Sequence, residues 1–180
     1  ILVADGGNRR IQIFTKTGAF VSSFPFENAV ENTDGKFNFP SGIFKAPSGK
    51  IYVADTQNNR VQIFNETGAY ISQFGIYGSG KGQFISPVDV GVAPDGSVFV
   101  VDQENDRIEV FDENNDYLWK FGKEGSGPGE FSGPSAIVVQ NSSLYVADTQ
   151  NNRIQVFDMF GNYITEYPAG SAAGLDFSFP

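Results

Sequence analysis

Four aspartates stand in a fixed relation to four arginines: Asp5 with Arg10, Asp55 with Arg60, Asp102 with Arg107 and Asp148 with Arg153. An asparagine lies between the partners each time, at Asn8, Asn58, Asn105 and Asn151. A carboxylate beside a guanidinium can hold a charged ligand or take part in acid–base chemistry. A catalytic set, however, has no reason to recur in register along one chain, whereas residues that serve a repeated structural unit must. The pattern therefore predicts that each Asp caps the loop after a strand and each Arg braces that loop by charge-assisted hydrogen bonds. On that reading Asp55→Ala or Arg60→Ala destabilises the fold by about 1–3 kcal/mol.

The remaining candidates are fewer. The chain has no His and no Cys. That removes imidazole bases, thiolate nucleophiles and the commonest zinc and transition-metal ligands. Asp102, Glu104 and Asp106, with Glu113 beyond them, match the carboxylate positions of a calcium loop, but Arg107 occupies the place that such a loop reserves for Gly. A coiled calcium loop is also incompatible with the strand expected over 107–112, so only a looser calcium site at Asp102, Glu104 and Asp106 is retained as a candidate, and no other cofactor is expected. Gly78-Ser79-Gly80-Lys81-Gly82 has the look of a phosphate loop but lacks its spacer and its Lys-Ser/Thr ending. Gly125-Ser126-Gly127-Pro128-Gly129 holds the same register, and both read as connectors. Asn65-Glu66-Thr67 and Asn141-Ser142-Ser143 are N-glycosylation sequons on expected turns.

The elements that carry these residues repeat too. Phe14, Phe64, Phe111 and Phe157 follow the arginines; Gly18, Gly68, Asn115 and Gly161 follow the phenylalanines and mark a turn that needs a left-handed residue. A strand runs from Phe20, Tyr70, Tyr117 or Tyr163 to Phe24, Phe74, Phe121 or Tyr167. A connector then ends in Phe-x-x-Pro at Phe37–Pro40, Phe84–Pro87, Phe131–Pro134 and Phe177–Pro180. One unit so holds four strands, near 41–46, 50–55, 60–65 and 69–74 in its best-defined copy. No segment has a sustained helical period, and no helix is expected. Repeated units of four antiparallel strands make a β-propeller, with the large aromatic side chains packed between neighbouring blades. The units fall at about 1–50, 51–97, 98–143 and 144–180, one propeller section over 1–180.

The Val-Ala-Asp-x-x-Asn-x-Arg-hydrophobic-Gln-hydrophobic-Phe core, the Gly turn and the Gly-Ser-Gly linker together resemble the NHL repeat. The resemblance covers nearly the whole chain. The departures are Gly6-Gly7 in the first copy, Asn115 in the third and the linker at 169–174. It implies a propeller, most often of six blades, used for binding or scaffolding. On that footing the 180 residues are an incomplete section: the first blade lacks its inner strand, and continuation of the same chain completes the propeller, although a four-bladed closure also lies within the range of the architecture.

Charge then separates the function classes. The net charge is −9. Residues 1–50 carry six cations against four anions, while residues 98–143 carry three against nine, a net of −6. The third unit is an acidic sector. The reading that follows is a non-catalytic module for a protein or small-molecule partner, with a basic partner suited to that sector. One alternative is an RNA-binding propeller of the kind found in tripartite-motif proteins. RNA binding needs a basic face, which only Arg9, Arg10, Lys16, Lys36, Lys45 and Lys50 begin to supply. The other alternative is a metal-dependent propeller lyase or hydrolase, whose lyase relatives use His ligands that this chain lacks. No run of apolar residues approaches the length of a membrane helix. The acidic charge, the low Lys content and the sequons favour an extracellular or cell-surface location over a cytoplasmic one.

Overall fold

A computed structural model describes residues 1–25 and 34–168. The fourth Phe-x-x-Pro element at Phe177–Pro180 and the divergent linker at 169–174 lie outside the described residues. The chain divides into two compact units, Ile1–Val90 and Gly91–Pro180.

The first unit opens with a three-stranded sheet of β1 (Leu2–Asp5), β2 (Arg10–Phe14) and β3 (Phe20–Phe24), paired in that order. A four-stranded sheet follows, β4 (Pro40–Lys45), β5 (Ile51–Asp55), β6 (Arg60–Phe64) and β7 (Tyr70–Phe74). The short strands β8 (Ile76–Tyr77) and β9 (Gln83–Phe84) pair in parallel within the connector. The next sheet is β10 (Pro87–Val92), which straddles the unit boundary, with β11 (Val98–Asp102), β12 (Arg107–Phe111) and β13 (Tyr117–Phe121). The last is β14 (Pro134–Gln140), β15 (Ser143–Asp148), β16 (Arg153–Asp158) and β17 (Tyr163–Pro168). The paired strands within each of these four sheets are antiparallel neighbours in the chain, which is the form of a propeller blade. The strands read from the sequence at 41–46, 50–55, 60–65 and 69–74 agree with β4 to β7 to within a residue.

One expectation is corrected. The sequence gives no helical signal, yet a single 3₁₀ turn follows each motif aspartate, at Gly6–Asn8, Thr56–Asn58, Gln103–Asn105 and Thr149–Asn151. Three residues are too few to show any hydrophobic period, so periodicity could not have found them. The turns close on a left-handed residue with φ of 55° at Arg9, 53° at Asn59, 49° at Asp106 and 53° at Asn152. The left-handed turn between the third and fourth strands is also present, with Asn115 at φ 70° where the other copies have glycine.

Phenylalanines join consecutive sheets within each unit. Phe24, Phe37 and Phe64 are buried, with ring centroids 4.9 Å apart for Phe24–Phe64 and 5.3 Å for Phe37–Phe64. Ile11, Ile51 and Val53 complete that core. The second unit repeats the arrangement with Phe121, Phe131 and Phe157, at 4.9 Å for Phe121–Phe157 and 5.6 Å for Phe131–Phe157. Each trio draws one ring from an outer strand, one from the Phe-x-x-Pro connector and one from the next sheet. A register shift at Ile63/Phe64 and at Val156/Phe157 marks a bulge beside the shared ring.

Candidate ligand-binding cleft

The Asp–Arg pairs are occupied by the fold itself. Asp55 is fully buried, and its Oδ2 accepts from Arg60 Nε at 2.8 Å, Asn58 Nδ2 at 2.8 Å and Gln62 Nε2 at 3.0 Å. Its Oδ1 accepts the Asn38 N–H at 2.6 Å. Arg60 spends its other nitrogens on Gln73 Oε1 and the Lys36 carbonyl, both at 2.7 Å. The carboxylate thus ties a 3₁₀ turn to the preceding connector. Asp148 repeats the scheme with Arg153, Asn151, Gln155 and the Ser132 N–H, and Arg153 reaches Glu166 at 2.9 Å. Asp102 accepts from Arg107 at 2.7 Å and Asn105 at 2.8 Å. In this copy Glu109 stands at the Gln62 position, with its Oε1 2.9 Å from Arg107 Nη2. Asp5, with Asn8, Arg10 and Gln12, forms the most exposed version. Asp55 and Asp148, buried and each holding four donors of the fold, are committed to bracing and closed to a substrate.

The glycine-rich connectors are closed in the same way. Gly80 N–H donates to Gln83 Oε1 at 2.9 Å, and Gly127 N–H donates to Glu130 Oε2 at 2.9 Å. Amides that a phosphate loop would turn outward are here spent on a side chain of the loop. Of the sequons, Asn65 is exposed and its Oδ1 accepts from the Thr67 N–H, the Thr67 hydroxyl and the Ala69 N–H. Asn141 is exposed on the β14–β15 turn at φ 51°.

The calcium candidates do not converge. Asp102 is buried against Arg107, whereas Glu104 is exposed and Asp106 turns its Oδ1 to the Gly133 N–H at 2.8 Å. Among the described residues no group of three or more carboxylates comes together in a metal-binding arrangement.

Glu104 and Asp106 instead line a cleft of about 460 Å³ in the second unit. Its walls are the 3₁₀ turns of two successive sheets, contributing Gln103, Glu104, Thr149 and Gln150. Asp106 and Glu124 add carboxylates, and Ser132 and Gly133 of the Phe-x-x-Pro connector form the base. Among the described residues three carboxylates and no cation line it. The walls are fixed: Ser132 N–H is held by Asp148, Gly133 N–H by Asp106, and the Gln150 N–H donates to the Ser132 carbonyl at 3.0 Å. The Thr149 and Ser135 hydroxyls bond each other. Glu104 and Glu124, by contrast, are exposed. A concavity lined by charges of one sign concentrates negative potential. The sequence marked the acidic sector and named Glu104 and Asp106, but missed Glu124, Ser132, Thr149 and Gln150, which only the folding of successive repeats brings together.

Several carboxyls are held below their usual range, and this fixes the sign of the pH response. Hydrogen bonds from Arg10, then Asn8, do so for Asp5. The Asp116 backbone N–H is the first cause at Asp112, the Asn162 side chain at Asp158, and the Gly127 N–H, followed by Lys123, at Glu130. A depressed folded-state pKa contributes stability above the unfolded value and loses it as pH falls through the folded one. Thermal melts should therefore be flat from neutrality down to about pH 5 and fall steadily below about pH 4. A melting temperature that rises on acidification would contradict these assignments.

A family described as a 6-bladed beta-propeller matches residues 41–94 and 92–169. No curated protein matches the chain. Among solved structures, selenomethionine-substituted virginiamycin B lyase from Staphylococcus aureus is similar at 20% identity and a TM-score of 0.68, covering 94% of this chain and 52% of that one. A protein of unknown function from Bacteroides caccae is similar at 12% identity and a TM-score of 0.66, over 93% of this chain and 57% of that one. A structure of the nidogen/laminin complex gives 15% identity and a TM-score of 0.68, over 93% and 58%. The chain spans little more than half the length of these structures. At such identities the likeness is one of fold alone.

Proposed function

Because the chain belongs to the 6-bladed beta-propeller family, in which the blade is a scaffold and function sits in its loops, we propose that it is a non-catalytic binding module whose acidic cleft receives a cationic partner. The observation that carries this is the cleft lined by Glu104, Asp106 and Glu124 with no cation among its lining residues. Amide and hydroxyl groups of Gln103, Gln150 and Ser132 add directional partners for an ammonium or guanidinium group. The partner is a protein segment or small molecule carrying such a group. The NHL-like motif suits this role, since its repeated Asp, Asn and Arg serve the scaffold and leave the loops to differ from copy to copy.

A lyase reading has less support. One similar structure is a catalytically inactive histidine-to-alanine variant of virginiamycin B lyase from Staphylococcus aureus with quinupristin, and no His occurs in these 180 residues to supply such a group.

The test is titration with a pentalysine peptide by calorimetry. Glu104 and Glu124 are the residues to change, because Asp106 also holds the Gly133 backbone. Glu104→Gln with Glu124→Gln should weaken binding roughly tenfold, and added salt should weaken the native protein similarly. Equal affinity in the double variant would remove the cleft from the function.

A further inference from the structure

The fourth copy of the repeat gives up charge where the second keeps it. In the second copy Lys45 ends β4, opposite Ile51, and its Nζ lies 3.0 Å from Glu66 Oε1 in the turn between the third and fourth strands. In the fourth copy the corresponding residues are Val139, opposite Leu144, and Met159. The next position of that turn is Thr17, Thr67 or Asn114 in three copies but Phe160 in the fourth, where it is 79% exposed. An ion pair has become two apolar side chains, with a phenyl ring beside them in the chain that the fold leaves in water.

The turn joining the first two strands differs as well. In the second and third copies the Ala46 and Ala93 N–H groups close it on the Lys50 and Ser97 carbonyls, with a glycine at φ 86° or 92°. In the fourth, Gln140 pairs directly with Ser143, and Asn141 and Ser142 make a shorter turn at φ 51° and 58°. Asparagine tolerates this region, but serine is strained in it, and strain is kept where a site needs it.

These departures meet in one place. Ala93 and Pro94, from the turn of the preceding sheet, line a cavity of about 270 Å³ together with Val139 and Met159. Asp95 and Asn141 are its exposed polar lining, and no Lys or Arg is among the described residues around it. Asp95 is set in place by the Ser97 N–H, which donates to its Oδ1 at 2.9 Å. Glu113 stands against the same turn, since a Cβ on Gly96 would lie 3.1 Å from the Glu113 Cβ. The volume falls below the roughly 300–1,000 Å³ of small-molecule sites, so it suits a single side chain and not a cofactor. A methionine wall adapts its shape to such a side chain.

We propose that this cavity binds a peptide segment in which an apolar side chain, the anchor, is followed by a lysine or arginine. The anchor enters between Val139 and Met159, and the cation rests on Asp95. The site lies where β15 begins, whereas the acidic cleft lies beyond its other end at Asp148, so neither reading depends on the other.

Met159 is the only methionine of the chain, so a ¹³C-labelled methionine methyl gives one NMR signal, and that signal reports on the cavity. The probe is the acetylated, amidated tetrapeptide Gly-Phe-Lys-Gly, titrated into the full chain. The methyl signal should shift and saturate. By calorimetry, Met159→Lys, which installs the residue of the first copy, should weaken binding about tenfold or more. Asp95→Asn keeps the oxygen that the Ser97 N–H needs and should weaken it about threefold. Both variants should melt near the native temperature, and the peptide should still bind when Glu104→Gln and Glu124→Gln are combined. A methyl signal that stays fixed at millimolar peptide would overturn the site, as would equal binding of Gly-Ser-Lys-Gly or full affinity in both variants. Loss of binding in the Glu104→Gln and Glu124→Gln protein would transfer the peptide to the acidic cleft. A methyl signal that moves with protein concentration alone would make the occupant a second copy of this chain.

Discussion

Asp55→Ala should lower stability by about 3–5 kcal/mol, the cost of stranding a buried cation, and the melting temperature by roughly 10 °C. The Asp55 side chain is 0% exposed and that of Arg60 8%, so removing the carboxylate leaves a guanidinium without water to replace it. It also strands the Asn38 N–H and two side-chain amides that donate to Asp55. This exceeds the 1–3 kcal/mol suggested by the motif alone, because the sequence could not tell how deeply the pair is buried. The first copy provides the control. There the Arg10 and Asp5 side chains are 43% and 19% exposed, and Asp5→Ala should cost clearly less than Asp55→Ala, because water can reach the arginine it leaves. Asp55→Ala combined with Arg60→Ala should cost less than the two single changes added together, since the second removes the stranded charge left by the first. Chemical denaturation of the four proteins decides the matter: equal losses for Asp5→Ala and Asp55→Ala, or strict additivity, would show that the buried network is not the brace.

The strands were legible because their signal is local and repeated. Ile51–Asp55 and Arg60–Phe64 are short apolar runs set between turn residues, and four copies in register average out the ambiguity of any one. The Asp–Arg relation was legible for the same reason. Its partners were not: Arg60 Nη1 bonds Gln73 and Nη2 the Lys36 carbonyl, contacts set by strand pairing and by the path of the connector. The cleft was less visible still. Gln103 and Gln150 face it from homologous turns, and Glu124 joins them from a connector position that lies outside the repeated glycine and Phe-x-x-Pro pattern. A repeat comparison finds what all copies share, whereas a site lives in what one copy does differently. Glu109 shows both sides of this. Its position belongs to the shared network, but its charge marks a departure from Gln62 and Gln155 that the Arg107 guanidinium meets locally.

The same logic explains why a glycine outside every obvious motif should be among the most sensitive positions. Gly122 follows the outer strand at φ 89°, and a Cβ there would lie 2.4 Å from the Phe131 ring and 3.2 Å from the Asp106 carbonyl. Phe131 is fully buried against Phe121 and Phe157 and cannot swing away without opening the trio that joins the two sheets. Gly122→Ala should therefore cost about 2–5 kcal/mol, adding overpacking to backbone strain. Gly18 separates the two terms: it has φ 84° but nothing within 4 Å of its would-be Cβ, so Gly18→Ala should cost only the backbone part, about 1 kcal/mol. The steric term can be isolated again with Phe131→Ala, which should cost about 3–5 kcal/mol alone but much less in a Gly122→Ala background, where the clash it relieves already exists. The change should also reach the ligand, because Phe131 is followed directly by Ser132 and Gly133, the base of the acidic cleft. Displacing the ring pulls on the amides held by Asp148 and Asp106. Gly122→Ala is thus expected to weaken pentalysine binding under conditions where the protein is still folded, and Gly18→Ala is expected to leave it unchanged. Equal stability losses at Gly122 and Gly18 would mean that the aromatic trio yields freely, and that the cleft is not held by the packing beneath it.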